Sequence, residues 1–327
     1  MDIGKLTGNN PISVKLDEID EGPGPYCMSF GFDLKSLKRS IADFGLINTP
    51  FVRRSRKGGI DVVIGYRRII ALKSLNRELV PCIDLSDFDL SPVELLLLNL
   101  YDNLTARKFN DTEKGMVLSR LLNYIPERDR LREYARLLDI YNERDLELYL
   151  KIDELPILMK DSIAAGTLSF KALRLILEMN IPSRSTVFEW ISKLNFNFNQ
   201  QKQFIEYIQD ISSKEERTIP NLLKEEQLLK ILEDRAMNNP QKAKKVLHII
   251  RSRRFPLLAG AEKSFKQEVD RLELPQNVKI QYPPFFEASD YLLKISFRNG
   301  KKLKEAIRSL IQIDRLESIG DPWEEDS

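Results

Sequence analysis

The chain has 327 residues, of which 42% are hydrophobic and 31% charged, and its formal net charge is +2. This is the composition of a folded protein of two or three domains, and near-neutrality requires any polyanion to be met by local basic patches rather than by an overall field. Cys27, Cys82 and the single histidine His248 exclude a disulfide framework, a zinc knuckle and any histidine triad within the N-terminal half.

The N-terminal run MDIGKLTGNN has no basic-plus-apolar leader pattern. The greasiest run, Val93 to Leu100, is interrupted by Glu94 and Asn99 and is too short to span a bilayer, so a cytoplasmic protein is expected. Val14 to Ile19 reads as a strand, and Leu34, Leu37, Ile41 and Phe44 place a helix over Leu34 to Phe44. Strands follow at Pro50 to Arg54 and Asp61 to Ile64 around a Lys57-Gly58-Gly59 turn, then a helix at Arg67 to Leu75 and a strand at Val80 to Leu85. These elements make a small α/β domain.

From Ser91 the pattern is helical almost without interruption. Ser91-Pro92-Val93-Glu94 is a good helix start, and Asn110 with Glu113 repeats its capping logic. Further helices are expected at about 129–138, 143–152, 155–164, 170–179, 185–194, 199–212, 221–234 and 241–252. In the tail, Val278, Ile280 and Tyr282 alternate, as do Tyr291, Leu293, Ile295 and Phe297, giving two strands around a Pro283-Pro284 loop. Leu303, Ala306, Ile307, Leu310 and Ile311 mark an amphipathic helix. A β-β-α unit this small gains from pairing with a second copy, with Phe285-Phe286 filling either its own core or a partner surface, and Glu324-Glu325-Asp326 reads as a frayed end.

Four ordered pieces of the first domain are the most informative: Ser40-Ile41-Ala42-Asp43-Phe44-Gly45-Leu46-Ile47-Asn48, Val62-Val63-Ile64-Gly65-Tyr66-Arg67-Arg68, Val80-Pro81 and Asp102-Asn103-Leu104. Gly65 permits a tight turn after a strand, and the next helix opens with two guanidiniums, a combination suited to a triphosphate. The plainer reading is two surface charges on an ordinary helix. Together the four pieces resemble the N-terminal domain of the ParB family.

The resemblance implies a CTP site at Gly65, Tyr66, Arg67 and Arg68, an adjoining loop at Gly45, Asn48 and Thr49, and magnesium held through the nucleotide by Asn103 and Asp102. This sequence departs from the family at Tyr66, where glutamate is usual, at Asp102, one methylene short, at Asn48-Thr49, which replaces Gln-Pro, and at Arg107, one residue beyond the expected arginine. A short or missing carboxylate spoils water positioning before it spoils charge recognition, so nucleotide binding is expected to outlast hydrolysis, with Asp102 the candidate catalytic group of a weak CTPase. The same fold serves sulfiredoxin-like enzymes, but this loop has no cysteine, and Cys82 in an apolar strand reads as core.

A helix-turn-helix is expected from Tyr134, Ala135, Leu138 and Ile140, then Leu146, Tyr149 and Leu150, and it resembles the central ParB motif. Asp139 takes the usual turn glycine's place, and Glu143, Asp145 and Glu147 line the recognition helix, which makes a packing pair that reads no bases a real alternative. Arg144, Lys171 and Arg174 are the candidate DNA contacts there. A second candidate is the basic strip Lys242, Lys244, Lys245, Arg251, Arg253 and Arg254, whose bland reading is a solvated helix face.

The expected fold is α+β multidomain: a ParB-like nucleotide-binding α/β domain at 1–108, an all-α helix-turn-helix domain at 109–255 and a β-β-α dimerisation module at 256–327. The expected function is a CTP-switched dimeric clamp on DNA in chromosome or plasmid partition, associated with the nucleoid or plasmid and partnered by a Walker-type ATPase. A ParB-related transcription regulator, a phosphotransferase or nuclease with Asp102 or Glu94 as base, and a scaffold that has lost DNA binding are the alternatives.

Overall fold

The computed structural model describes residues 10–20, 22–55, 58–283 and 290–320. The expectations for the N-terminal run, Lys57, Pro284, Phe285-Phe286 and the acidic end fall outside these residues. The chain divides into two compact units, Met1–Arg174 and Leu175–Ser327.

In the first unit, β1 (Ile12–Lys15), β2 (Phe51–Arg54), β3 (Ile60–Ile64) and β4 (Leu79–Asp84) form one sheet in the order β1-β4-β2-β3. β1 runs antiparallel to β4 and β2 antiparallel to β3, while β2 and β4 are parallel. The strand expected over Val14 to Ile19 stops at Lys15. A single 3-10 turn, Leu16–Glu18, carries the chain across to a bridge between Ile19 and Ile60, so the segment continues the sheet on the β3 side instead of lengthening β1.

Helices α1 (Lys35–Phe44) and α2 (Tyr66–Ser74) press Ile41, Ile69, Ala71 and Leu72 into a core with Val14, Val52, Val62, Val80 and Cys82. Burial pushes the Cys82 thiol up to about 12, in keeping with a packed, inert cysteine. The helix expected from Leu34 starts one residue later, with Leu34 as its N-cap.

The unit continues with α3 (Pro92–Ala106), α4 (Asp111–Leu122), α5 (Arg128–Leu137), α6 (Glu143–Ile152) and α7 (Ile157–Ala164), and the division falls within α8 (Phe170–Leu177). Both predicted capping boxes form, Ser91 with Glu94 on α3 and Asn110 with Glu113 on α4. Gly115 is what lets α4 lie against α6: a Cβ there would be 2.7 Å from the Tyr149 carbonyl oxygen and 3.0 Å from the Ile152 Cβ.

The second unit contains α9 (Ile181–Leu194), α10 (Phe198–Lys214), α11 (Ile219–Leu223), α12 (Glu226–Glu233), α13 (Asn239–Arg254) and α14 (Pro256–Arg271). Trp190, Phe196 and Phe204 stack in its core. The segment read as one helix over 221–234 is two, α11 and α12, which part at Lys224. Helix α14 has no counterpart in the sequence reading; Pro256 sits at its first turn, a position where proline suits a helix start.

Strands β5 (Val278–Gln281) and β6 (Leu292–Ile295) pair antiparallel, and α15 (Gly300–Ile311) packs Ala306 and Leu310 on Val278. Both expected strands form, each shorter than the alternation suggested: Tyr282, Tyr291 and Phe297 lie outside them.

Candidate nucleotide site and nucleic-acid interface

Gly65 joins β3 to α2 with φ +95°, and a Cβ there would come within 3.0 Å of the Pro50 Cβ and 3.2 Å of its Cα. Both the dihedral and the space demand glycine, as expected for a tight strand-to-helix turn. The two arginines that follow diverge. Arg68 donates through Nη1 to the Asn48 carbonyl at 2.7 Å, tying α2 to the 45–49 loop, in which Gly45 has φ +74°. Burial holds the Arg68 pKa below its ordinary value, with Asp102 acting in the opposite direction.

Arg67 turns instead to the carboxylate of Glu113, Nη2 to Oε1 at 2.7 Å, and donates through Nε to the Ser29 hydroxyl at 3.2 Å. Its guanidinium lies over the Phe32 ring, 4.8 Å from the centroid. Arg107 reaches the same carboxylate from the end of α3, Nη1 to Oε2 at 2.5 Å. Burial and the charge of Arg107 lower the Arg67 pKa, and Glu113 opposes both.

Glu113 itself is 1% exposed. Beyond the two guanidiniums it accepts from the Phe30 amide through Oε1 and the Asn110 amide through Oε2, each at 3.0 Å. Four donors use the acceptor capacity of an ionised carboxylate, so this buried charge is fully satisfied. One carboxylate between two guanidiniums also leaves the cluster with a surplus positive charge.

A ladder at four-residue spacing on α3 fixes Arg107. Asn99 is buried and donates to the Val63 carbonyl of β3, Asn103 donates to the Asn99 side-chain oxygen at 2.8 Å, and Arg107 donates through Nε to the Asn103 oxygen at 2.8 Å. The Asn103 oxygen expected to help hold magnesium is therefore engaged by a guanidinium, and Asp102 is exposed beside it. Among the described residues no cluster of three or more His, Cys, Asp or Glu could hold a metal ion. With its Asn103 oxygen committed to Arg107, the Asp102-Asn103 pair as arranged does not fit a metal ion. Glu94, the other candidate base, caps α3: the Ser91 hydroxyl and amide lower its pKa.

Sequence reasoning missed the segment that lies against this cluster. Residues 27–30 have no regular structure and accept side-chain donors along their length: Arg120 at the Cys27 carbonyl, Arg107 at the Met28 carbonyl at 2.9 Å and Asn110 at the Phe30 carbonyl at 2.9 Å. Burial raises the Cys27 thiol to about 11. No periodicity could reveal this strap, because its partners are side chains far away in sequence.

No protein-family model and no curated protein matches the chain. Among solved structures it is similar to the C-terminally truncated chromosome-partitioning protein ParB from Caulobacter crescentus complexed with CTP-gamma-S, at 19% identity and a TM-score of 0.27, over 53% of this chain and 95% of that one. It is also similar to the same C-terminally truncated protein complexed to the centromeric parS site, at 15% identity and a TM-score of 0.33, over 60% of this chain and 98% of that one. Similarity at this level does not assign a family.

In the helix-turn-helix segment, Asp139 adopts φ +62°, the left-handed conformation that a turn glycine would supply. The Asp139 amide donates to the Arg136 carbonyl and the Ile140 amide to the Ala135 carbonyl, closing α5 before Asn142 caps α6. Ala135, Leu138, Ile140, Leu146 and Tyr149 are buried between the helices.

The acids of α6 are neutralised within the unit. Arg128 pairs with Glu147 at 2.5 Å, Arg132 with Glu143 at 2.8 Å and Arg174 with Asp145 at 2.5 Å. This engages Arg174, one of the candidate DNA contacts, and leaves Arg144, Lys151 and Lys171 exposed with no ion pair among the described residues. Lys151, seven residues after Arg144, shares its helix face and was not singled out from the sequence, where the nearby acids dominated.

The second basic strip divides in the same way. Arg251 makes a bidentate pair with Glu262 at 2.8 and 2.9 Å, Arg253 bridges Glu215 and Glu225, and Arg254 pairs with Asp210 at 2.5 Å. Lys242 donates to the Leu232 carbonyl at 2.7 Å, whereas Lys244 and Lys245 are exposed. The arginines tie helices of this unit together, and the two lysines are the members of the strip that face solvent. Among the described residues no helix is long and apolar enough to cross a membrane.

Proposed function

We propose that this chain is a ParB-like DNA-binding protein in which a nucleoside triphosphate, CTP by resemblance, engages Arg67, Arg68 and Arg107 and thereby changes how a homodimer holds DNA. The observation that carries the reading is the convergence of Arg67 and Arg107, from distant stretches of the sequence, on a single carboxylate. Two fixed, partly desolvated guanidiniums meeting on one anion make a phosphate-recognition geometry, and the surplus positive charge favours a more highly charged anion.

The Gly65 turn and the carbonyl grip of Arg68 on the 45–49 loop bring Gly45, Asn48 and Thr49 next to the same helix start. DNA would be met by Arg144, Lys151 and Lys171 around α6, with Lys244 and Lys245 as a second phosphate contact. Dimerisation is assigned to the tail, where Leu292, Phe297 and Ile311 are 54%, 53% and 78% exposed. Apolar surface of that kind on a small β-β-α unit suits a second copy. The role is partition of a chromosome or plasmid, with a Walker-type ATPase as partner. Asp102 would give at most weak hydrolysis, since it is exposed and its neighbour Asn103 is already engaged.

Calorimetric titration of CTP, ATP and GTP, with and without DNA, tests this. Saturable triphosphate binding that alters DNA affinity is expected. Absence of binding by all three nucleotides defeats the reading, and turnover or DNA cleavage lost in Asp102→Asn would favour an enzyme instead.

A further inference from the structure

We infer that Glu113 is a built-in competitor for the nucleotide: it holds Arg67 and Arg107 in place of a phosphate, and its displacement by a triphosphate loosens the first turn of α4 and so the seat of α6. The inference rests on the nucleotide-binding reading above and names how that site is regulated.

The hydrogen bonding makes the competition direct. Every nitrogen of Arg107 is engaged, Nη1 by Glu113, Nη2 by the Met28 carbonyl and Nε by the Asn103 oxygen, and Arg67 gives Nη2 to Glu113 and Nε to Ser29, so a phosphate that takes both guanidiniums meets Glu113 where the two converge. A triphosphate brings more negative charge than a carboxylate to the same two cations. Once they leave it, Glu113 is a buried anion without a counter-charge, a state costly enough to drive its side chain out of the pocket.

That movement has mechanical consequences because of where Glu113 sits. It is the third residue of α4 and caps its own helix through the Asn110 amide. The two residues before it bind other helices: Asp111 accepts from the Tyr149 hydroxyl of α6 at 2.6 Å, and the Thr112 hydroxyl donates to the Lys160 carbonyl of α7 at 2.8 Å. The strap is coupled as well, since the Phe30 amide binds Glu113, and Gly31, with φ +59°, lies where a Cβ would be 2.8 Å from the Ala164 Cβ of α7. The first turn of α4 is thus clasped by the arginine pair on one side and by the DNA-binding helices on the other.

The test compares the full chain with Glu113→Gln, which keeps the shape and removes the charge. CTP with magnesium should bind the variant at least about tenfold more tightly than the wild type, the scale of ordinary coupling between sites. A folded variant that binds CTP no more tightly overturns the competitor role. If the variant does not fold, hydrogen exchange on the wild type decides: CTP should speed exchange of the Phe30 and Asn110 amides at least about tenfold, and unchanged or slower exchange overturns the proposal. A wild type that binds no CTP defeats the nucleotide reading itself, which is a separate result.

Discussion

Replacing Gly115 by alanine tests how closely α4 and α6 approach, and the expected sign is opposite to the usual one. In an open helix interior the change stabilises by about 0.8–1 kcal/mol, because alanine loses less backbone entropy. At Gly115 the new methyl would sit 2.7 Å from the Tyr149 carbonyl oxygen and 3.0 Å from the Ile152 Cβ. Both obstacles belong to α6, and the nearer is backbone that cannot rotate away, so overpacking of about 1–3 kcal/mol opposes the propensity gain. The propensity gain is cancelled and a net loss of up to roughly 2 kcal/mol follows, which for a unit of this size lowers Tm by up to about 8 °C.

Gly260, inside α14, is the control, since a Cβ there meets nothing within 4 Å. Gly260→Ala should therefore stabilise the protein by about 0.5–1 kcal/mol. Scanning calorimetry, with a DNA mobility-shift assay on the same samples, reads both variants. A Gly115→Ala protein stabilised as much as Gly260→Ala would refute the close packing of α4 on α6.

Three further outcomes are expected. The double variant Arg67→Ala with Arg68→Ala should abolish CTP binding by calorimetry, and unchanged affinity would remove the phosphate role of this turn. Arg144→Ala should weaken DNA binding about equally across sequences and reduce the salt slope by about 1 if it contacts phosphate, which a salt-controlled shift assay measures. Arg253 lowers the pKa values of Glu215 and Glu225 through hydrogen bonding. That stabilisation is fully present above the ordinary glutamate value of about 4.3 and lost as pH falls through the lowered folded values. Acid unfolding of Arg253→Met should lack this component.

The turn and cap signatures were legible because their parts are local. A glycine forced to φ > 0 after a strand, two capping boxes and a turn residue at Asp139 each depend on neighbouring residues, so the sequence alone places them. Helix α14 escaped notice because its start, Phe255-Pro256, reads equally as an ending. The partition of the arginines was not legible at all. Arg67 and Arg68 are adjacent in sequence yet bind different elements, and Arg251, Arg253 and Arg254 looked like one strip until the fold set acids opposite each.

What the sequence determined by itself is the succession of elements and the places where cations accumulate, since both follow from short-range propensity and spacing. Which cations remain available to a ligand was decided only by tertiary structure. Glu113 shows why: by sequence it is a helix cap, and only folding brings Phe30, Arg67 and Arg107 around it, because the partners of a buried carboxylate are chosen by proximity in space and by the cost of leaving its charge unpaired.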